Sequence, residues 1–137
     1  RLAGRTATHD FEKFWDVMRA RSGSRRGPMT AEQKARRPPV SQPIFRTHPI
    51  TGRTVLYCNP GYAVRIDGLE EQDSEDVLAN LFAHQTRDEF LHAHSWTVGD
   101  ILIWDNFGTV HRAIADYRPD EHRYMRRVQV KAAIAGP

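Results

Sequence analysis

The chain has 137 residues, 39% hydrophobic and 27% charged, a balance that suits a single folded domain and excludes wholesale disorder. Its net charge of +3 comes from arginines crowded into residues 19–37 and 112–127. The first cluster lacks the interleaved aromatics of a stacking platform, so nucleic acid is set aside as a partner. No apolar run approaches the roughly 18 residues that cross a bilayer, and no signal-peptide pattern opens the chain, so no membrane partner is expected. The single cysteine, Cys58, has no internal partner and sits in the apolar run Val55-Leu-Tyr-Cys58. It reads as a small buried hydrophobe in a reducing, cytoplasmic protein. Since residue 1 is Arg rather than Met, the native N-terminus is expected to lie further upstream.

Taken in order, Thr8 is a candidate N-cap for a short amphipathic helix whose stripe is Phe11, Phe14, Trp15 and Met18. Residues 21–43, rich in Gly, Ser, Pro and Arg, read as a mobile basic loop or lid, with a helical turn over residues 30–34. Residues 44–48 and 54–58 are extended runs joined by a hairpin turn, and Asn59-Pro-Gly61 is a second turn into a strand over residues 62–66. Asp73 is expected to cap a helix that buries Val77, Leu78, Leu81 and Phe82. Residues 90–96 alternate around His92 and His94. Val98-Gly-Asp100 turns into the apolar strand Ile101-Leu-Ile-Trp104, and residues 124–132 form a closing strand. The sum is a β-rich α+β domain, or a piece of one.

The chemistry gathers near the end. His111 closes an apolar strand, and Arg123 and Arg127 follow four residues apart. On a strand those two arginines share a face. An imidazole is a metal ligand, and an arginine holds a carboxylate through two parallel hydrogen bonds. Arg127 would suit an anionic group on a second ligand.

Five blocks occur in a specific order. They are His48-Pro-Ile-Thr-Gly-Arg, Tyr57-Cys-Asn-Pro-Gly-Tyr-Ala-Val-Arg-Ile, Trp96-Thr-Val-Gly-Asp-Ile-Leu-Ile-Trp-Asp-Asn, Thr109-Val-His and Ala115-Asp-Tyr. Together they resemble the C-terminal half of the taurine and 2,4-dichlorophenoxyacetate dioxygenase family, over residues 2–131. The resemblance implies a double-stranded β-helix (jelly roll) with flanking helices. It also implies Fe(II) and 2-oxoglutarate as cofactors, with O2 and a small anionic substrate (sulfonate, sulfate ester or carboxylate) to be hydroxylated. It makes His111 the distal iron-binding histidine, Arg123 the 2-oxoglutarate arginine, Arg127 the substrate's anion partner and Tyr62 an aromatic of the substrate pocket.

One departure is informative. The family's His-x-Asp or His-x-Glu motif is missing, since none of the seven histidines has an acid two residues on. The expectation is therefore a partial jelly roll, residues 1–137 being the C-terminal part of one domain whose first core strands are absent. Taken apart from the pattern, His111 reads equally as a strand-end histidine, and Arg123 and Arg127 as solvated charges beside Asp116, Asp120 and Glu121. His92 and His94 lack an accompanying carboxylate and read as strand surface. Asp105 and Asn106 read as shaping the turn before His111. A non-catalytic interaction module is the competing class, and homo-oligomerisation is left open.

Overall fold

In the computed structural model, Ala7 is fully buried at the centre of the strand Thr6–His9 (β1), which is laddered on both sides. Residues 2–114, 117–118 and 120–130 are described. Strand β1 pairs antiparallel with Val40–Pro43 (β2) and with Ala63–Ile66 (β5), giving the order β2-β1-β5. The register with β5 slips between Thr8 and His9, leaving Val64 as a bulge before the ladder finishes at His9 and Ala63.

That helix, α1 (Phe11–Arg19), is capped by Asp10 rather than Thr8. The Asp10 carboxylate accepts the Glu12 amide at 2.8 Å, while Thr8 lies within β1. A five-residue helix, α2 (Ala31–Ala35), fills the expected helical turn. Thr30 and Gln33 close it with a reciprocal capping box. The 21–43 segment thus holds regular structure, including β2, which its composition did not announce. Phe45–Thr47 (β3) and Thr54–Leu56 (β4) form the expected hairpin, closed by His48 and Arg53 and turned at Gly52, whose φ of 67° suits a residue without Cβ.

Ile44, fully buried, joins the two sheets. Its amide donates to the Arg5 carbonyl at 3.0 Å and its carbonyl accepts from the Tyr57 amide at 2.7 Å. The longest helix, α3 (Glu71–Gln85), packs on β5 and contributes Leu78 to a core of Ala7, Ile44, Cys58, Ala63 and Ile66. Val77, Leu81 and Phe82 lie against that core, as their spacing predicts. Glu70, not Asp73, is the capping residue; Asp73 sits in the first turn. The buried Ser74 hydroxyl accepts the Ile66 amide at 2.7 Å and so satisfies a strand donor the helix would otherwise bury. Burial pushes the Cys58 thiol up to about 11, with Lys13 nearby pulling the other way, so the cysteine behaves as the hydrophobe its sequence context suggests.

The second half of the chain differs from expectation. The segments 90–96, 101–104 and 124–130 form no strand; apart from a 3₁₀ turn at Asp88–Phe90, the described residues beyond α3 lack regular structure. Ile101, Ile103, Val128 and Val130 are each at least 88% exposed. The reason is physical: a strand exists only beside a partner that takes its amides and carbonyls, and none of the described residues lies alongside. The mixture of helices and strands is as expected, but among the described residues the balance is not strand-rich, since the three α-helices hold more residues than the five strands. Among the described residues no helix is long and apolar enough to cross a membrane.

Asp67, just beyond β5, ties the three-stranded sheet together. Its carboxylate accepts the hydroxyls of Thr6 and Thr8 at 2.6 Å each and that of Ser41 on β2. Burial disfavours its ionisation, yet the hydroxyls of Ser41, Thr6 and Thr8, with Arg65, outweigh that and hold its pKa at about 2. A carboxylate with a depressed folded pKa stabilises above its unfolded value and ceases to do so as pH falls through the folded one. Asp67→Asn should therefore lower unfolding free energy by about 2 kcal/mol at neutral pH. Urea titrations should show that difference shrinking as pH drops from 3.8 towards 2.

Candidate functional site

The side chains at and around the expected site residues form three neighbourhoods. The first is centred on Trp104. The His111 imidazole lies 4.9 Å from its ring, and the Arg127 guanidinium stands 5.9 Å above it, within cation–π range. Two of the expected residues, His111 and Arg127, thus each pack against the same indole. Arg123 sits instead over Tyr117 at 5.6 Å. The shared strand face expected for Arg123 and Arg127 is not formed, because residues 124–130 are not a strand.

The second neighbourhood is aromatic. Tyr62 stacks on Phe14 at 5.3 Å and on Phe11 at 6.2 Å, so it belongs to the face of α1. The basic segment closes over the same face. Arg37 lies 4.1 Å from the Phe11 ring, Arg26 lies 5.0 Å from Trp15, and the Trp15 indole donates to the Gly27 carbonyl at 2.9 Å. Lys34 of α2 pairs with Glu12 of α1.

The third neighbourhood joins the β3–β4 hairpin to the turn that precedes His111. Asp105 accepts the Phe107 amide at 2.9 Å and the Gly108 amide at 3.0 Å, so it shapes the turn as its residue type implies. It also accepts from the His48 ring at 2.7 Å. The Phe107 amide, His48 and the Gly108 amide together hold the Asp105 carboxyl below the usual carboxylate range. The Phe107 ring meets His48 edge-on at 5.5 Å, and Arg46 lies over both Tyr57 and Phe107 at 4.8 and 4.9 Å. The pairing of His48 with Asp105 spans 57 residues, and no local spacing signals it.

His94 does not join His92. It faces Asp100 at 3.2 Å and Trp96 at 4.7 Å, within the turn that Asp100 closes on Thr97. Among the described residues, no three His, Cys, Asp or Glu side chains are gathered as a metal site. His9 is a satisfied structural histidine. Burial lowers its pKa, its Nδ1 donates to the Ala7 carbonyl, and its Nε2 accepts the Asn59 amide.

Comparison with known proteins defines the class. The model of the taurine catabolism dioxygenase TauD, TfdA family matches residues 1–129, and the chain belongs to that family. It is 44% identical over 89 residues to pentalenolactone F synthase of Streptomyces avermitilis, covering 65% of this chain and 28% of that protein. It is 37% identical over 95 residues to the alpha-ketoglutarate-dependent 2,4-dichlorophenoxyacetate dioxygenase of Cupriavidus pinatubonensis, covering 69% of this chain and 32% of that protein. The chain therefore spans about a third or less of the length of these relatives. Its fold resembles a crystal structure from Burkholderia xenovorans described as an alpha-ketoglutarate dependent 2,4-D dioxygenase. That match has a TM-score of 0.60 and 26% identity, and covers 71% of this chain and 35% of the other.

The stacking of Tyr62 makes a stability prediction. Tyr62→Ala should cost about 2 kcal/mol in urea unfolding by removing the ring that Phe11 and Phe14 pack upon. Tyr62→Phe, which keeps the ring, should stay within about 0.5 kcal/mol of the parent.

Proposed function

We propose that this chain supplies the C-terminal part of an Fe(II)- and 2-oxoglutarate-dependent dioxygenase that hydroxylates a small anionic organic substrate with O2. The observation that carries the reading is the packing of both His111 and Arg127 against Trp104 within a chain of this family. In that role His111 is one metal ligand, Arg123 holds the distal carboxylate of 2-oxoglutarate, Arg127 receives the substrate's anion and Tyr62 lines its pocket. Arginine suits both anion sites because its charge is permanent and its planar fork matches a carboxylate or sulfonate. The relative named for 2,4-dichlorophenoxyacetate is alpha-ketoglutarate-dependent by its name, which supports the cosubstrate assignment.

The donor set does not complete a metal site. Iron of this kind needs two histidines and a carboxylate on one face, and the described residues gather no such group. Our reading assigns the missing ligands, and the strands that would pair with residues 101–104 and 124–130, to a segment of a longer protein. The 21–43 segment, lying on the aromatic face that includes Tyr62, is assigned the role of a lid.

A second reading, a non-catalytic interaction module, is favoured by the exposed apolar residues Ile101, Ile103, Val128 and Val130. Steady-state kinetics of a full-length protein containing these residues separates the two. Arg123→Ala should raise the KM for 2-oxoglutarate by about tenfold to a hundredfold with the substrate KM unchanged, and Arg127→Ala should do the reverse. Absence of 2-oxoglutarate turnover in the parent full-length protein would favour the interaction module.

A further inference from the structure

We propose that His48 is a positioning residue for His111, acting as a two-armed bridge between the β3–β4 hairpin and the turn at residues 105–108. The ring is held from both ends. Its Nδ1 faces the amides of Ile50 and Thr51 at 3.2 and 3.1 Å, and since both are donors, Nδ1 accepts. The ring proton therefore resides on Nε2, which donates to Asp105 Oδ2 at 2.7 Å. The His48 side chain is 11% exposed, while the Asp105 carboxylate it meets is half open to solvent.

The carboxylate it grips organises the turn. Asp105 accepts the Phe107 and Gly108 amides, and its own carbonyl accepts the Thr109 hydroxyl. Trp104 precedes Asp105 directly and carries the His111 ring against its face. Fixing Asp105 thus fixes the indole on which His111 rests. The packing is close, since a Cβ at Gly108 would stand 2.8 Å from Asp105 Oδ2 and 3.6 Å from the His48 ring. The role of His111 as a metal ligand rests on the reading above; the bridge itself does not.

Two substitutions divide the arms. In His48→Asn the short amide can still accept the hairpin amides but cannot reach Asp105. In His48→Gln the longer amide can still donate to Asp105. Amide hydrogen exchange and histidine side-chain NMR on the 137-residue chain read the result without any metal. The expected outcome for His48→Asn is at least tenfold faster exchange at Phe107 and Gly108, with a displaced His111 ring resonance. His48→Gln should restore both. Asp105→Ala removes the acceptor altogether and should also displace the His111 resonance. Unchanged exchange in His48→Asn would overturn the proposal. So would His48→Gln behaving like His48→Asn, or Asp105→Ala leaving His111 unmoved. Loss of the dioxygenase reading would leave these results intact, whereas failure here would leave Arg123 and Arg127 untouched.

Discussion

The backbone of Ile44 is the junction on which the arrangement depends. Its amide reaches β1 through Arg5 and its carbonyl reaches the end of β4 through Tyr57, so one buried residue couples the three-stranded sheet to the hairpin. A buried peptide whose two polar groups are both paired resists displacement, because breaking either bond leaves a desolvated donor or acceptor. The hairpin, fixed in this way, presents Arg46, His48 and Tyr57 to the turn at residues 105–108. That turn in turn carries Trp104 and His111. The candidate site is therefore connected to the core by a short physical path of hairpin, imidazole, carboxylate and indole.

Packing is uneven along the chain. Residues up to the end of α3 supply the core cluster and the sheet ladders. The later residues contribute side-chain contacts, with alternate apolar positions such as Ile101 and Ile103 left open to solvent. A run that is apolar on both faces suits a strand covered on both sides. Its exposure here agrees with a chain that spans about a third or less of its longer relatives.

Much of the first half was legible because its signals are local. The helical stripe of Phe11, Phe14 and Trp15, the hairpin around Gly52, the turn at Asn59 and the apolar face of α3 each follow from spacing within a dozen residues. The errors there are small: Asp10 and Glu70 cap the helices in place of Thr8 and Asp73. Strand β2 escaped notice because it is short, polar and proline-bounded, and its pairing comes from β1 more than thirty residues away. The strands expected at residues 101–104 and 124–132 show the opposite failure. Their sequence has strand character, but a ladder needs a second strand, and periodicity cannot supply one; residues 131 and 132 lie outside the described chain. His111 and Arg127, the residues singled out in the sequence for the proposed site, each lie against Trp104, while Arg123 sits apart over Tyr117. The His48–Asp105 bond had no local signature and emerged from the fold alone.

Under the proposed function, this chain contributes a single ligand, His111, to a composite metal centre. The most direct measurement is uptake of Mn(II), a spectroscopic substitute for iron(II), by the purified 137-residue chain, read from loss of the free-ion electron paramagnetic resonance signal with and without 2-oxoglutarate. The free-ion signal is expected to persist in both cases, because one imidazole cannot hold the ion against water. Stoichiometric uptake that requires 2-oxoglutarate and disappears in His111→Ala would contradict it, by showing that these residues complete the centre themselves.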